Sequence, residues 1–382
     1  MQLRGELGLG HIGVSAPNLA ARIAQHIRRH GPISVAAFMA VALHDPQAGY
    51  YARHDPLGRT GDFITAPEIS QIFGELIGLW CADIWERMGR PEPIVLAELG
   101  PGHGTLMADL LHAAAIVPAF RGALRLCFVE ASPVLRAEQQ RRLASAEPLF
   151  VNDVEQLPPG PLLLIANEFL DALPIRQLVR GRLEWAERLI GLDEEGELAF
   201  VLGRENSALS LLVPLPLRAE PPGTIIEICP AAASLAAMLG KRFVKLPGAA
   251  LFIDYGYFPS APGPTVRSLR RHEPVGVLEV IGQADLSAHV DFAVIAEAAR
   301  GAGARVWGPV PQGRFLATLG AETRLAMLSE RASPEQRVLL ESGLRRLIGP
   351  EEMGTLFKAM AITSPGLPAP AGFAGEAISG SS

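Results

Sequence analysis

The sequence from Pro93 to Leu110, PIVLAELGPGHGTLMADL, decides the fold class of this chain. Its first part, Ile94 to Leu99, is an apolar run of strand length, and its last part has leucines at helical spacing. Three glycines at alternating positions separate the two parts: Gly100, Gly102 and Gly104. A buried strand that turns through glycines into a helix is the entry unit of a doubly wound, Rossmann-like α/β sheet. Such glycines let a ligand approach the backbone closely, and the helix start offers N–H groups without acceptors in the helix.

The spacing of these glycines separates two classes of cofactor. A dinucleotide turn has the pattern G-x-G-x-x-G, whereas here Glu98 precedes glycines at every second position. This pattern is similar to the first motif of class I S-adenosyl-L-methionine (SAM) methyltransferases, where the turn holds a cofactor that carries no phosphate. We therefore expect SAM, with Glu98 near its ammonium and with Pro101 and Thr105 in the same turn. For the isolated motif, the alternative is an ordinary strand–turn–helix corner.

Composition and charge exclude several classes of protein. The chain has 382 residues, 49% of them hydrophobic, and a net charge of -6, which fits one or two globular domains. It has no dense basic stretch, so nucleic acid is not expected as the main partner. Its three cysteines lie far apart and form no pair of metal-ligand spacing, and its first residues lack a signal-peptide pattern. We expect a cytoplasmic protein without a metal or a membrane-inserted segment.

Polar residues follow the next two predicted strands. The strand Leu124 to Val129 ends at Glu130, where an acid can accept hydrogen bonds from ribose hydroxyls. The short strand Leu149 to Val151 is followed by Asn152 and Asp153. That pair is placed to meet an adenine amino group, or alternatively to begin a turn.

The fourth strand, Pro161 to Ala166, leads into the candidate catalytic residues Asn167, Glu168 and Asp171. Ligands of open α/β sheets bind outside the carboxyl ends of the strands, so these side chains should face the reactive end of the cofactor. Two nearby carboxylates can bind a cation or exchange a proton. The alternative is structural, with Asp171 capping a helix and Glu168 paired with an arginine.

A loop rich in turn residues, 61–71, is the predicted lid of the site. Gly61 and Asp62 are expected at the cofactor, and Asp62 is also a candidate catalytic group. A capped helix entrance is the other interpretation of this loop. Four further residues are predicted on the side of the methyl acceptor: Glu68, Tyr255, Tyr257 and His289.

The changes of pattern along the chain predict four segments. They are an N-terminal helical segment with the lid loop (1–90), a cofactor-binding core (91–320), C-terminal helices (321–362) and a disordered tail (363–382). Antiparallel hairpins (175–225) and a polar loop (258–290) are predicted as insertions in the core.

The chain resembles the MidA-like family of SAM-dependent methyltransferases over roughly residues 30–360. Separate blocks carry the resemblance: GDFITAPEIS (61–70), ELGPGHGTLM (98–107), FVEASP (128–133), ANEFLDALP (166–174), DYGY (254–257), GQADLSAHVDF (282–292) and PQGRFLATLG (311–320). Two positions depart from the family pattern. His103 stands where the family has an arginine, and the stretch 265–271 replaces a Gly-Thr-Leu-Arg turn.

The resemblance implies a seven-stranded class I methyltransferase core and closure of the Gly61 loop over SAM. Since the family includes the mitochondrial enzyme needed for respiratory complex I assembly, it also implies an arginine of a protein, such as a complex I subunit, as acceptor. We hypothesise that Glu168 and Asp171 grip that guanidinium and accept its proton, with Asp62 or Glu68 assisting. An NAD-type oxidoreductase and a non-catalytic docking factor are the competing hypotheses. The oligomeric state is left open, a dimer included.

Overall fold

The computed structural model describes residues 18–53, 64–205 and 208–375. In chain order the helices are α1 (Leu19–His30), α2 (Val35–His44), α3 (Tyr50–Arg53), α4 (Ala66–Ile69), α5 (Gln71–Arg87), α6 (Thr105–Ala114), α7 (Pro118–Ala123), α8 (Pro133–Arg142), α9 (Pro230–Lys245), α10 (Phe292–Gly301), α11 (Gln312–Thr318), α12 (Ala321–Ser329), α13 (Pro334–Ile348) and α14 (Met353–Leu356). The strands are β1 (Ile33–Ser34), β2 (Ile94–Leu99), β3 (Leu124–Val129), β4 (Leu149–Val151), β5 (Leu162–Asn167), β6 (Arg176–Arg180), β7 (Trp185–Leu192), β8 (Leu198–Glu205), β9 (Ile225–Ile228), β10 (Gly248–Tyr257), β11 (Arg267–Arg270), β12 (Glu273–Val275), β13 (Asp285–Ser287), β14 (Val290–Asp291), β15 (Arg305–Pro311) and β16 (Phe357–Thr363). None of the helices in those ranges combines the length and apolar character needed to cross a bilayer.

Two compact units make up the described chain. The parallel-sheet unit comprises Ile64–Leu170, Ala233–Tyr257 and the described residues from Ile295 onward. The antiparallel unit comprises the described residues up to Arg53, Asp171–Ala232 and Phe258–Val294. The division falls between Leu170 and Asp171, so the candidate catalytic carboxylates Glu168 and Asp171 belong to different units.

The sheet of the parallel-sheet unit has the strand order β15-β16-β10-β5-β2-β3-β4. The strands from β10 to β4 are parallel to one another, and β16 pairs antiparallel with both β10 and β15. This order confirms the predicted doubly wound α/β class. Every residue of β2 and β5 is buried, because helices cover both faces of a parallel sheet. Glycines bring helices close together here: a Cβ on Gly78 of α5 would lie 2.7 Å from the carbonyl oxygen of Leu110.

The predicted hairpins and polar loop are not insertions in one core, because they belong to the antiparallel unit, which is a second compact unit. Its larger sheet has the order β1-β7-β6-β9, with β8 on β7, and its smaller sheet has the order β12-β11-β13. The N-terminal helices share a hydrophobic core with these strands, including the fully buried Ile23, Phe38 and Ile190. The prediction of a separate N-terminal segment 1–90 was therefore wrong. The loop predicted over 258–290 contains the three strands β11, β12 and β13, and Ile281, Leu286 and Ala288 of this range are buried in the second core.

The C-terminal part of the chain also differs from the prediction. Residues 357–363 form strand β16, which lies between β15 and β10 in the sheet, although helices were expected up to residue 362. The predicted disordered tail is packed as far as residue 373. Phe373 is fully buried, with its ring centroid 5.2 Å from that of Phe315, and the indole of Trp80 donates a hydrogen bond to the carbonyl of Ala371 at 3.2 Å. Residues 376–382 lie outside the described part.

Candidate functional site

The glycine-rich turn has the backbone conformation that its sequence predicts. Strand β2 ends at Leu99, and Gly100, Gly102 and Gly104 have φ values of 59°, 53° and 76°. L-residues with side chains rarely adopt these values, and a Cβ on Gly100 would lie 3.0 Å from the ring of Phe169. Helix α6 begins at Thr105 directly after this turn. The turn is a cradle that side chains would fill.

Two buried acceptors lie at the ends of the adjacent parallel strands β2 and β5. Glu98 is 3% exposed, and burial raises the pKa of its carboxyl to about 8. Its Oε2 atom and the Oδ1 atom of Asn167 have no hydrogen-bond partner within the described residues. Buried polar atoms are normally paired, so these two acceptors call for donors from outside the described chain. The ammonium of SAM has the matching chemistry, and the residues present therefore fit this cofactor.

Glu130 lies at the end of β3, as predicted, and is held on both carboxylate oxygens. Its Oε1 accepts from the backbone N–H of Ser132 at 2.7 Å, and its Oε2 accepts from the Nε2 of Gln139 at 3.3 Å. Burial raises the pKa of Glu130, and these hydrogen bonds act in the opposite direction. Gln139 was not predicted as a site residue. In the sequence it is one of several polar residues of a helix, and only its complete burial marks it out.

The polar pair after β4 is engaged within the protein. The Oδ1 of Asn152 accepts from the Nη2 of Arg136 at 2.8 Å, and Arg136 also donates to the backbone carbonyls of Glu130 and Val151. Asp153 accepts from the backbone N–H of Glu155 at 3.1 Å and caps a short 3-10 helix. Asp153 thus does begin a turn, which was the alternative interpretation of this pair.

The loop after β5 is fixed by two carboxylates. Glu168 has a φ of 49°, a left-handed conformation that is strained for a residue with a side chain. Its Oε1 accepts from the backbone N–H of Ala66 at 2.8 Å and from the Nδ2 of Asn167 at 3.2 Å. The fully buried Asp254 accepts from the backbone N–H groups of Phe169 and Leu170 at 3.1 and 2.8 Å. Asp254 lies in strand β10, and its clamping role was not predicted from the sequence.

Glu68 lies beside the glycine-rich turn. Its Oε1 accepts from the hydroxyl of Thr105 at 2.5 Å and lies 3.5 Å from the Nδ1 of His103. Arg142 also donates to the hydroxyl of Thr105. These contacts attach helix α4 to the start of α6, next to the predicted cofactor turn. Gly61 and Asp62, the predicted lid residues before α4, lie outside the described residues.

The other predicted residues lie in different parts of the fold. Tyr255 and Tyr257 end strand β10, and the ring of Tyr255 meets that of Phe357 edge-on at 5.4 Å. In the antiparallel unit, the backbone N–H of His289 donates to the hydroxyl of Thr265 at 2.8 Å.

Asp171 belongs to a buried polar group of the antiparallel unit. It is 9% exposed, and its carbonyl accepts from the N–H of Ala288 at 2.9 Å. The hydroxyl of Tyr51 donates to the Oδ1 of Asp285 at 3.3 Å. Burial raises the pKa of Tyr51 well above its usual value, and the charges of Asp285 and Asp171 raise it further.

Comparisons with known proteins agree with this geometry. Residues 76–310 match the model of a family described as S-adenosyl-L-methionine-dependent methyltransferases. The chain is 36% identical over 378 residues to the mitochondrial protein arginine methyltransferase NDUFAF7 homolog of Drosophila melanogaster, covering 90% of this chain and 84% of the relative. It is 37% identical to the Xenopus laevis protein and 32% identical to the human protein, with coverage of 85% and 81% of those relatives and 91% and 88% of this chain.

Two solved structures are similar to this chain over nearly its whole length. A COG1565 superfamily member from Burkholderia thailandensis, bound to S-adenosyl-homocysteine, has a TM-score of 0.79 and 26% identity, with 97% of this chain and 99% of that chain covered. A native structure from the same organism and superfamily has a TM-score of 0.78 and 28% identity at the same coverage.

Proposed function

Since the chain belongs to a family of S-adenosyl-L-methionine-dependent methyltransferases, we propose that it methylates the guanidinium group of an arginine in a protein. The acceptor is inferred from relatives named protein arginine methyltransferases, which this chain matches over most of their length. The observation that carries the cofactor site is the pair of buried acceptors, Glu98 Oε2 and Asn167 Oδ1, that have no partner among the described residues.

Particular residues are proposed for each end of the cofactor. Glu98 and the turn from Gly100 to Gly104 hold its methionine end, because they combine a buried acid with close backbone approach. Glu130 holds the ribose, because its carboxylate is fixed at the end of β3. The other residues proposed to contact the cofactor are Asn152 and Asp153 at its adenine end, Thr105 in the turn, and Gly61 and Asp62 in the loop before α4.

The acceptor nitrogen of a guanidinium must lose a proton, which a carboxylate can accept. When bound, SAM supplies an electrophilic methyl group. A protonated guanidinium has no free lone pair. A carboxylate that accepts hydrogen bonds from it would draw the positive charge away from the attacking nitrogen, and a carboxylate must take the proton of that nitrogen as the methyl group is transferred. Glu168 is our candidate for this base, and Asn167 orients it through the hydrogen bond at 3.2 Å. Asp171 and Asp62 are proposed as further acceptors of the guanidinium N–H groups.

Methyl transfer to a protein tests this proposal. The purified chain and its Glu168→Gln variant are incubated with SAM labelled in the methyl group and with a lysate of the source cells, and the labelled proteins are hydrolysed for amino-acid analysis. We expect labelled methylarginine with the wild type and a loss of at least about a hundredfold with Glu168→Gln, because removal of a general base typically has this size. The exposed Glu341→Gln on α13 is the matched control and should behave like the wild type.

Three outcomes would contradict parts of the proposal. Label on another amino acid or on a small molecule would refute the arginine acceptor. Full activity of Glu168→Gln would refute its role as base. Restoration of a deletion phenotype by a variant that binds SAM but transfers no methyl group would favour the docking factor.

The protein substrate is proposed to be a subunit of respiratory complex I or its bacterial equivalent, as the family resemblance implies. The cytoplasm is the proposed compartment for this chain, while its relatives are named mitochondrial. Free thiols at all three cysteines, Cys81, Cys127 and Cys229, are consistent with a reducing compartment. Mapping the labelled protein by mass spectrometry identifies the substrate directly.

A further inference from the structure

Gln139 of helix α8 is a polar side chain with no solvent exposure. Its Nε2 lies 2.7 Å from the carbonyl oxygen of Gly102 and 3.3 Å from the Oε2 of Glu130, and it donates to both. A single amide therefore connects the turn after β2 with the acid at the end of β3. We propose that Gln139 is a positioning residue that holds Glu130 and the glycine-rich turn in register for the ribose of the cofactor. The inference rests on the proposed binding of ribose by Glu130.

The hydrogen bonds of Glu130 explain why this donor matters. One carboxylate oxygen is fixed by the N–H of Ser132, and the other is fixed by Gln139. Without Gln139, the second oxygen would be free to rotate away or would remain buried without this donor, and both outcomes weaken a directed acceptor pair. The carbonyl of Gly102 would lose the same donor. The amide thus acts on two positions of the proposed site at once.

The packing of Gln139 supports a positional role for its stem as well. A Cβ on Gly104 would lie 3.6 Å from the Cγ of Gln139 and 3.5 Å from the Cδ1 of Leu143, at ordinary contact distance. Helix α8 therefore lies directly against the turn. The Oε1 of Gln139 has no hydrogen-bond partner among the described residues. An apolar side chain of equal length would fill the same space, but it would leave the Oε2 of Glu130 and the carbonyl of Gly102 without this donor.

The test separates positioning from general stability. Binding is measured by calorimetry with S-adenosylhomocysteine and with its 2′-deoxyribose analogue. The variant Gln139→Met keeps the length of the side chain and removes the donor. Gln140→Met, at the exposed neighbouring position on the same helix, is the matched control. Glu130→Gln tests the underlying assignment, and melting temperatures without ligand report folding.

We expect the wild type and Gln140→Met to prefer S-adenosylhomocysteine over the 2′-deoxy analogue by about tenfold, the factor that corresponds to one directed hydrogen bond. Gln139→Met should bind S-adenosylhomocysteine about tenfold more weakly and retain a preference below about threefold. Equal weakening of both ligands, or an unchanged preference, would overturn the inference. If Gln139→Met does not fold, Gln139→Leu, which is shorter and also lacks the donor, should show the same loss of preference.

The variant Glu130→Gln distinguishes the failure of this inference from that of the proposed site. If Glu130→Gln abolishes the preference and Gln139→Met retains it, only the role of Gln139 is wrong. If Glu130→Gln retains the preference, the assignment of ribose to Glu130 is wrong and the inference falls with it. Binding of S-adenosylhomocysteine by the wild type remains the test of the cofactor itself.

Discussion

Replacement of Glu98 by Gln should stabilise the ligand-free protein. The carboxyl is 3% exposed and its pKa is about 8, compared with 4.5 for an unperturbed glutamate, so at pH 7 it is protonated when folded and ionised when unfolded. At pH 7, which is 2.5 units above the pKa of the unfolded state, the folded protein must keep this carboxyl protonated. At about 1.36 kcal/mol per unit, this lowers the free energy of unfolding by about 3 kcal/mol. A neutral amide does not carry this cost. Since one N–H₂ group must find an acceptor in the same space, we expect a net gain of about 2 kcal/mol.

The stabilisation gained by Glu98→Gln should increase with pH. Because the folded state holds a proton that the unfolded state releases, the contribution of Glu98 falls as pH rises from about 4.5 to about 8 and levels off above that. Urea denaturation at half-unit steps from pH 5.5 to 8 measures it. The free energy of unfolding of the wild type should fall relative to Glu98→Gln by about 1.4 kcal/mol per pH unit. Glu341→Gln, at an exposed position, is the control and should follow the wild type.

The same substitution should weaken cofactor binding. A cationic ammonium stabilises the ionised form of Glu98, and an amide offers no charge in return. Calorimetry with S-adenosylhomocysteine in two buffers of different ionisation enthalpy should show release of a proton by the wild type at pH 7 and none by Glu98→Gln. Parallel stability curves for the two proteins across the whole pH range would refute the reasoning, and so would proton release that persists in the variant.

Three further perturbations follow from the structure. Burial, and to a lesser extent the charge of Glu75, raise the pKa of Asp109 to about 6. The variant Asp109→Asn should therefore have a higher melting temperature than the wild type above about pH 6 and the same melting temperature near about pH 4. A shift of equal size at both pH values would contradict this. Phe373→Ala should lower the free energy of unfolding by about 3–5 kcal/mol in urea denaturation because the ring is fully buried, whereas the exposed Leu339→Ala should have little effect. Gly102→Val should abolish calorimetric binding of S-adenosylhomocysteine because φ is 53° there, and retained affinity would show that the turn tolerates a side chain.

The parallel core was predictable from the sequence to the residue in places. Predicted strands Ile94 to Leu99, Leu124 to Val129 and Leu149 to Val151 coincide with β2, β3 and β4. Each is a short apolar run between turn residues, and this local signal identified the strand both where every residue is buried, as in β2, and where none is, as in β4. The glycine-rich turn was predictable for a similar reason, because its left-handed backbone restricts the residue types at three positions.

The errors arose where structure depends on distant partners. Strand β16 carries the run Phe357 to Thr363, which is almost entirely buried and shows neither helical nor alternating periodicity. Its conformation is set by pairing with β10 and β15, residues that lie more than a hundred and about fifty positions away. The packed tail depends likewise on the pocket that Phe315 and Trp80 offer to residues 371–373. Low-complexity composition gives no information on such a pocket.

The candidate site shows a different limit of sequence reasoning. Glu98, Glu130 and Glu168 could be selected because each follows or ends a predicted strand, and the strand ends meet at one edge of the sheet. Gln139 and the clamping role of Asp254 could not be predicted in this way, because their importance comes from what they bind. Both side chains are fully buried, and both hold backbone groups of the loops that carry the predicted residues. A buried polar side chain must be paired or it destabilises the fold. Where such a side chain fixes a glycine-rich turn or a strained loop, replacing it by an apolar residue of equal size should lower stability and should also weaken cofactor binding in the protein that still folds. Loss of binding by folded protein identifies a positioning residue.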